Sequence, residues 1–399
     1  MNPPADTRHA LVIGAGLAGA ASCAALARRG WRITLLDAAG GPAQAASSLP
    51  VGMLSPHVTR APTPLSRLSA LGVADTRREL ERLIAPGHGW QPCEVDNLGH
   101  DRGRWPAAMV RPAALVLAWL NEARSLTALE TSWNQQVSAL RQGKQGWQAL
   151  DDQRRVVAQA SVVVLACAHA SAMLLRNSWP EITADQLPLH PVKGQMSLAK
   201  LETTPLAARP QRETGVFMPA YEDAGLPPEW PARIWTMGST YARGEENTAV
   251  TEEAHQANAR NLAAMHPAAA DRLRIEAAAG RLLGWAQARC ASLDRLPLVG
   301  EVPDVKALQT WMHAAGARRG KLPLAAAPRH PGLYLLTALG SRGLSLAHWC
   351  AGLLAQQIDE PTQTTAAIEP DLIRALDPAR FAWKLARRQP AAAAAGSNA

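Results

Sequence analysis

His9-Ala10-Leu11-Val12-Ile13-Gly14-Ala15-Gly16-Leu17-Ala18-Gly19 decides the reading of this chain. A short apolar strand, His9 to Ile13, runs directly into a GxGxxG turn. The alanine-rich stretch from Leu17 to Arg29 predicts a helix, stopped by Gly30. Arg32-Ile33-Thr34-Leu35-Leu36 reads as a second strand ending at Asp37. In such a βαβ unit Gly14 permits the tight turn, Gly16 lets backbone approach a pyrophosphate, and Gly19 lets helix and strand pack closely. With Ala15, Leu17 and Ala18 they open a helix whose free N–H groups and partial positive charge suit phosphates. Asp37 lies eighteen residues beyond Gly19, where a carboxylate accepts hydrogen bonds from ribose hydroxyls. The unit predicts a dinucleotide site and does not separate FAD from NAD.

Further along, Ala113 to Arg124 reads as an amphipathic helix. Ala160 to Ala166 is a continuous β-branched run, as expected of a strand covered on both faces. Between Val192 and Thr240 the expected strands are short and broken by turns, which suits an antiparallel sheet. Leu333 to Thr337 is another strand, followed by a glycine turn and a helix from about Leu344 to Ile358. Strand–turn–helix thus recurs at both ends. The expected fold is α/β combined with α+β: a discontinuous Rossmann-like cofactor domain with an inserted antiparallel-sheet substrate domain. The expected limits are 1–85, 106–190 and 281–388 for the first, 86–105 and 191–280 for the second, and a disordered tail at 389–399.

The 399 residues suffice for two domains, and 47% hydrophobic against 19% charged residues supplies a large core. The five cysteines are scattered without CxxC, which argues against a disulfide framework or zinc site; Cys23 and Cys350, in apolar helical runs, read as buried thiols. No apolar run reaches membrane-spanning length and Met1 to His9 leaves no room for a secretory signal, so a cytoplasmic protein without a membrane partner is expected. The net charge of +8 attracts polyanions, although the basic pairs are dispersed and each also reads as a solvated face.

Three further segments carry a family resemblance. Ala46-Ser47-Ser48-Leu49-Pro50-Val51-Gly52-Met53-Leu54 resembles the segment that runs beside the FAD pyrophosphate in the D-amino-acid-oxidase superfamily. Arg289-Cys290-Ala291-Ser292-Leu293-Asp294-Arg295-Leu296-Pro297-Leu298-Val299-Gly300 and the turn Leu339-Gly340-Ser341-Arg342-Gly343-Leu344-Ser345 are similar to two others. A finer resemblance is to the FAD oxidoreductase module of bacterial tRNA-modifying MnmC proteins. It rests on Pro191-Val192-Lys193-Gly194-Gln195, Gly238-Ser239-Thr240-Tyr241, Asp294 to Gly300 with Val302-Pro303-Asp304, and Asp377-Pro378-Ala379-Arg380-Phe381. The resemblance implies FAD, held by Gly14 to Gly19, Asp37, Ser47, Ser48, Val137, Ala166 and the turn Gly340, Ser341, Arg342, Gly343 and Leu344. A helix N-terminus at that turn would face the flavin ring and stabilise negative charge. The departures are Ala168, where the family has glycine, and the lack of an Asn-containing stretch near Ser47. Gln287 stands where some sarcosine oxidases attach flavin to cysteine, so covalent attachment is not expected. Because the chain opens on the dinucleotide fingerprint, methyl transfer is not expected from it.

Arginine carries the substrate argument, because a guanidinium holds a carboxylate through two parallel charge-assisted bonds. The resemblance puts Arg289 where glycine-oxidase-like members hold the substrate carboxylate. Arg342 in the glycine turn is the second catalytic candidate, serving substrate or flavin, and Arg281 a weaker third. Tyr241 faces the site or simply packs, and His57 is a candidate site group. His169, His255, His266, His313 and His348 show no metal spacing. Trp105, Trp119, Trp235 and Trp285 read as core residues rather than base-stacking ones. What the MnmC resemblance implies is oxidation of the carboxymethylaminomethyl group of a wobble uridine, with the tRNA anticodon region as partner; no stable protein partner is inferable from the sequence. Two alternatives share the features: an oxidase of glycine, sarcosine or a D-amino acid, and a non-catalytic FAD-stabilised RNA- or partner-binding protein.

Overall fold

The computed structural model describes residues 8–202, 204–228, 230–360 and 368–388. In chain order the elements are β1 (His9–Ile13), α1 (Leu17–Ala27), β2 (Arg32–Leu36), β3 (Gly52–Leu54), α2 (Pro64–Leu83), β4 (Trp90–Asn97), β5 (Gly103–Val110), α3 (Pro112–Leu126) and β6 (Leu129–Ser132). There follow β7 (Ala139–Gly143), β8 (Gly146–Leu150), β9 (Val156–Ala160), β10 (Val162–Leu165), α4 (Ala170–Ser178), β11 (Leu189–Lys200), β12 (Gln211–Arg212), β13 (Val216–Glu222), β14 (Arg233–Gly238) and β15 (Ala242–Arg243). The chain ends with α5 (Glu252–Met265), α6 (Pro267–Ala278), β16 (Leu283–Ser292), β17 (Leu298–Pro303), α7 (Val305–Ala315), β18 (Arg329–Thr337), α8 (Gly343–Asp359), α9 (Pro370–Leu376) and α10 (Arg380–Arg388). The tail 389–399, expected to be disordered, lies outside the described residues.

Strand pairing sorts these elements into three sheets. The first has the order β17-β18-β10-β1-β2-β6 and is parallel except for β17. Its two outer partners of β1 come from distant sequence: Ala10 pairs with both Ile33 and Val162. One face is covered by α1, α3 and α8, whose alanine-rich seam packs on Val12, Ile33 and Val164. The other face meets the small β7-β8-β9 meander and α7. Every residue of α1 is buried. Small side chains are what allow that: a Cβ at Gly19 would lie 1.7 Å from the Gly14 carbonyl oxygen, so only glycine admits this helix so close to the turn.

The second sheet has nine strands, ordered β15-β11-β14-β13-β12-β4-β5-β3, with β16 on the free side of β11. Its one parallel contact is the short β12–β4 pairing. One face packs under α5 and α6 around Phe217, Trp235 and Leu262; the other buries Val51, Met196, Tyr221 and Trp285. The expectation of short, broken strands after Val192 fails at β11, a single strand of 12 residues. The ladder with β16, running from Leu189↔Ser292 to Leu198↔Leu283, keeps its backbone groups paired across Gly194 and is why it stays continuous. Sheet membership also differs from the expected segment limits. β5 runs across position 105, and β16, assigned by sequence to the cofactor segment, is hydrogen-bonded into the second sheet.

Candidate active site

The site is built where three segments of the chain meet. At the first, Gly14 adopts φ +107, which an L side chain resists, and its N–H donates to the Leu36 carbonyl at 2.8 Å. A Cβ there would also lie 2.6 Å from the Ala166 carbonyl oxygen, so β10 ends directly against the glycine turn. Asp37 accepts the Ala15 N–H at 2.6 Å on one oxygen and the Ala39 N–H at 2.8 Å on the other. Ser47 Oγ accepts the Leu17 N–H at 3.0 Å, and Ser48 Oγ accepts the Trp285 Nε1–H at 3.0 Å, tying this loop to the second sheet.

At the second, β18 ends in the turn Gly340–Arg342 and α8 begins at Gly343 with no side-chain cap. Leu17 and Gly343, the first residues of α1 and α8, are in contact: a Cβ on Gly343 would sit 3.0 Å from Leu17 Cδ1. Two helix N-termini therefore converge, each with unsatisfied N–H groups and a partial positive charge. That donor set fits a dinucleotide whose pyrophosphate meets one helix N-terminus and whose anion-forming ring meets the other. Val137 is half-buried on the loop before β7 and packs against the core of the meander.

At the third, β16 presents Arg289 opposite Val192 of β11. Arg289, Arg342, Gly340, Ser341 and Tyr241 line one cavity of about 100 Å³ together with Val192, Ala291 and Arg295. The Arg289 guanidinium lies on Gly194, where a Cβ would come within 1.9 Å of Nη2, and Nη2 donates to Ser239 Oγ. No carboxylate pairs with Arg289 or Arg342 among the described residues. Burial lowers the pKa of both below the ordinary guanidinium value; Arg295 adds to this at Arg342, and Tyr241 opposes it at each. An isolated backbone bridge between Ala291 and Leu339 joins β16 to the turn ahead of α8. The cavity is thus a cationic chamber between a helix N-terminus and the second sheet.

The structure brings Arg289, Arg342 and Tyr241 together and leaves Arg281 apart, ion-paired to Glu276 at 2.8 Å and largely exposed. His57 does not line the cavity; burial and the charges of Arg342, Arg212 and Arg295 hold its pKa below the usual histidine value. Cys23 and Cys350 are buried free thiols. His255 is buried and bonded to Ser197 Oγ at 2.7 Å, and His266 caps α6. Trp119, Trp235 and Trp285 are buried, whereas Trp105 is only half-buried. Sequence reasoning missed Arg295, Ser239 and Gly194 as site residues. All three stood in quoted runs, and their roles come only from cross-strand neighbours. Ala168 adopts φ +52, the left-handed region that favours glycine, so the alanine holds a backbone conformation that glycine would take more easily.

A parallel sheet with a glycine-turn dinucleotide cradle, joined to a sheet that closes a cationic chamber over a second helix N-terminus, is the arrangement of a dinucleotide-dependent oxidoreductase. The model of the FAD dependent oxidoreductase family matches residues 9–108 and 103–357, and the chain belongs to that family. Among its relatives is the tRNA 5-methylaminomethyl-2-thiouridine biosynthesis bifunctional protein MnmC of Ralstonia nicotianae. It is 36% identical over 95% of this chain and 61% of its own length. The protein of the same name from Verminephrobacter eiseniae is 34% identical over 95% of this chain and 64% of its own. The chain therefore spans less than two thirds of these relatives. Solved structures sharing the fold include glycine oxidase from Geobacillus kaustophilus, with a TM-score of 0.65 and 16% identity over 94% of this chain and 99% of that one. Another is iminodiacetate oxidase from Chelativorans sp. BNC1, with a TM-score of 0.61 and 18% identity over 87% and 94%. Among the described residues no helix is long and apolar enough to cross a membrane.

Proposed function

We propose that this chain oxidatively removes the carboxymethyl group from carboxymethylaminomethyl(-2-thio)uridine at the tRNA wobble position, giving the aminomethyl form and glyoxylate. The names of the relatives support the RNA substrate, and a tRNA substrate supports a cytoplasmic enzyme. The observation that carries the reading is the state of Arg289: a largely buried guanidinium in a cavity wall, bonded to Ser239 and paired with no carboxylate among the described residues.

In this reading FAD is held by Gly14, Ala15, Gly16, Leu17, Ala18, Gly19, Asp37, Ser47, Ser48, Val137, Ala166 and Gly340 to Leu344. Bound FAD would supply the two-electron acceptor for the C–H bond between amine and carboxylate. Arg289 takes the substrate carboxylate through paired charge-assisted bonds and so fixes the adjacent carbon. Arg342 adds a second positive charge to the chamber. Both disfavour an ammonium form, and low hydration does the same, so the amine is held neutral, as electron release from it requires. Water entering the mouth then cleaves the imine to the aminomethyl base and glyoxylate.

The test is mass analysis of the wobble nucleoside after carboxymethylaminomethyl-bearing tRNA is incubated with FAD-loaded protein. Conversion to the aminomethyl nucleoside, with glyoxylate released, is expected. An unchanged nucleoside, with free glycine or sarcosine oxidised instead, would replace this reading by that of a small-molecule amine oxidase.

A further inference from the structure

Three arginines, Arg289, Arg295 and Arg342, line one cavity, and among the described residues no acidic residue lines it. The acid adjacent in sequence to Arg295 is used elsewhere. Arg380 Nε and Nη2 donate to the two oxygens of Asp294 at 2.8 Å each, and Ser292 Oγ and the Leu296 N–H donate to it at 2.9 and 3.1 Å. Arg295 itself is held at φ +64 by the turn, its N–H donating to the Ser292 carbonyl at 3.1 Å. The fold has thus tied off the acid that could neutralise Arg295 and left the exposed guanidinium at the cavity, where Arg342 repels it.

A further arginine, Arg212, acts on His57 together with Arg295 and Arg342. Arg212 Nη1 donates to Ser55 Oγ at 2.5 Å and to the Pro56 carbonyl at 2.8 Å, and its Nε to Asn97 Oδ1 at 3.1 Å, all neutral acceptors. A free amino acid brings one carboxylate, which Arg289 satisfies alone. The remaining positive charge suits a second anion, which would relieve the repulsion between Arg295 and Arg342.

We infer that Arg295 and Arg342 form a second anion subsite at the cavity mouth, which takes a phosphodiester of the nucleotide chain carrying the amine. This rests on the RNA reading above. A phosphodiester offers two non-bridging oxygens to guanidinium donors, and each nucleotide linkage supplies one beside the reacting base. The same chemistry would be met by the second carboxylate of a dicarboxylic amine, so the test separates the two sources.

Uridine 3′,5′-bisphosphate, uridine and iminodiacetate are titrated calorimetrically into the FAD-loaded protein and into two variants, Arg295→Asn and Arg295→Lys. Asparagine tolerates the left-handed backbone at 295. Equal flavin content in all three proteins shows that the variants fold. The bisphosphate is expected to bind at least about tenfold more tightly than uridine, with that margin shrinking as salt rises, lost in Arg295→Asn and retained in part in Arg295→Lys, which keeps the charge. The subsite is overturned if the bisphosphate has no advantage over uridine, if the margin survives in Arg295→Asn, or if only iminodiacetate affinity depends on residue 295. Failure of the RNA reading shows separately, as modified tRNA left unoxidised by the parent protein.

Discussion

The guanidinium of Arg289 rests on the backbone of Gly194, close enough that a Cβ at 194 would lie 1.9 Å from Nη2 and 2.5 Å from Cζ. Gly194 is interior to β11 and takes no left-handed conformation there, so its glycine is required by space and not by backbone angle. The strand contributes to the site by lacking a side chain.

Gly194→Ala is therefore expected to displace the Arg289 side chain while keeping the sheet and the flavin. Displacement by about 1 Å costs on the order of 10²-fold in kcat/KM for a carboxylate-bearing amine. Steady-state kinetics with the modified RNA, beside the flavin absorbance of the purified variant, measures both halves. Unchanged kinetics would show that the guanidinium need not lie there.

Arg289→Lys keeps the charge and loses the planar fork. A loss of about 10²-fold in kcat/KM is expected, with flavin binding retained, because a lysine cannot reproduce paired bonds to one carboxylate. Flavin reduction followed without oxygen reads the loss directly. A variant as fast as the parent would remove Arg289 from the substrate contact.

Ala168 holds φ +52, with its carbonyl accepting from Thr337 Oγ1 at 3.1 Å. Glycine relieves the Cβ–carbonyl repulsion of that conformation at some cost in chain entropy. Ala168→Gly is expected to stabilise the protein by up to about 1 kcal/mol, seen as a rise in Tm. A fall in Tm would mean that the alanine methyl contributes packing worth more than the strain.

Glu79 lies between α2, α1, α3 and α8, accepting from Trp119 Nε1 at 3.0 Å, from Arg28 at 2.5 Å and from Arg82 at 3.1 Å, with His348 Nε2 at 3.1 Å. Burial alone would raise its pKa, but hydrogen bonds from His348, Arg82 and Arg28 outweigh it and hold the carboxyl well below the usual range. A depressed folded-state pKa gives stability that is present above the unfolded value and lost as pH falls through the folded one. Glu79→Gln is thus expected to lower Tm by a few degrees near pH 7 and to flatten the loss of Tm on acidification below about pH 4.5. Parallel Tm–pH curves for parent and variant would contradict this.

The opening βαβ unit was legible because its information is local. Strand, turn, helix, second strand and Asp37 fall within 29 residues, His9 to Asp37, and β1 and β2 appear with the expected limits. The closing strand–turn–helix was legible for the same reason, as was the α/β with α+β architecture. The chamber was legible only in part. Arg289 and Arg342 stood out as arginines in recognisable runs. Gly194, Ser239 and Arg295 acquire their roles from the β11–β16 register and from the Arg380–Asp294 pair, 86 positions apart, which no local pattern encodes. Arg281 shows the converse error: a plausible arginine whose partner, Glu276, lies five residues back on the preceding helix and keeps it at the surface.

The backbone bridge from Ala291 to Leu339 splices the guanidinium-bearing strand to the loop that opens α8. Peptide groups joined in this way cannot slide past each other by fractions of a residue. The backbone that carries Arg289 is therefore held in fixed register with the start of α8, two residues from 289 to 291. Only the long arginine side chain, and not the backbone that carries it, is left to adjust to a longer or shorter ligand on this side.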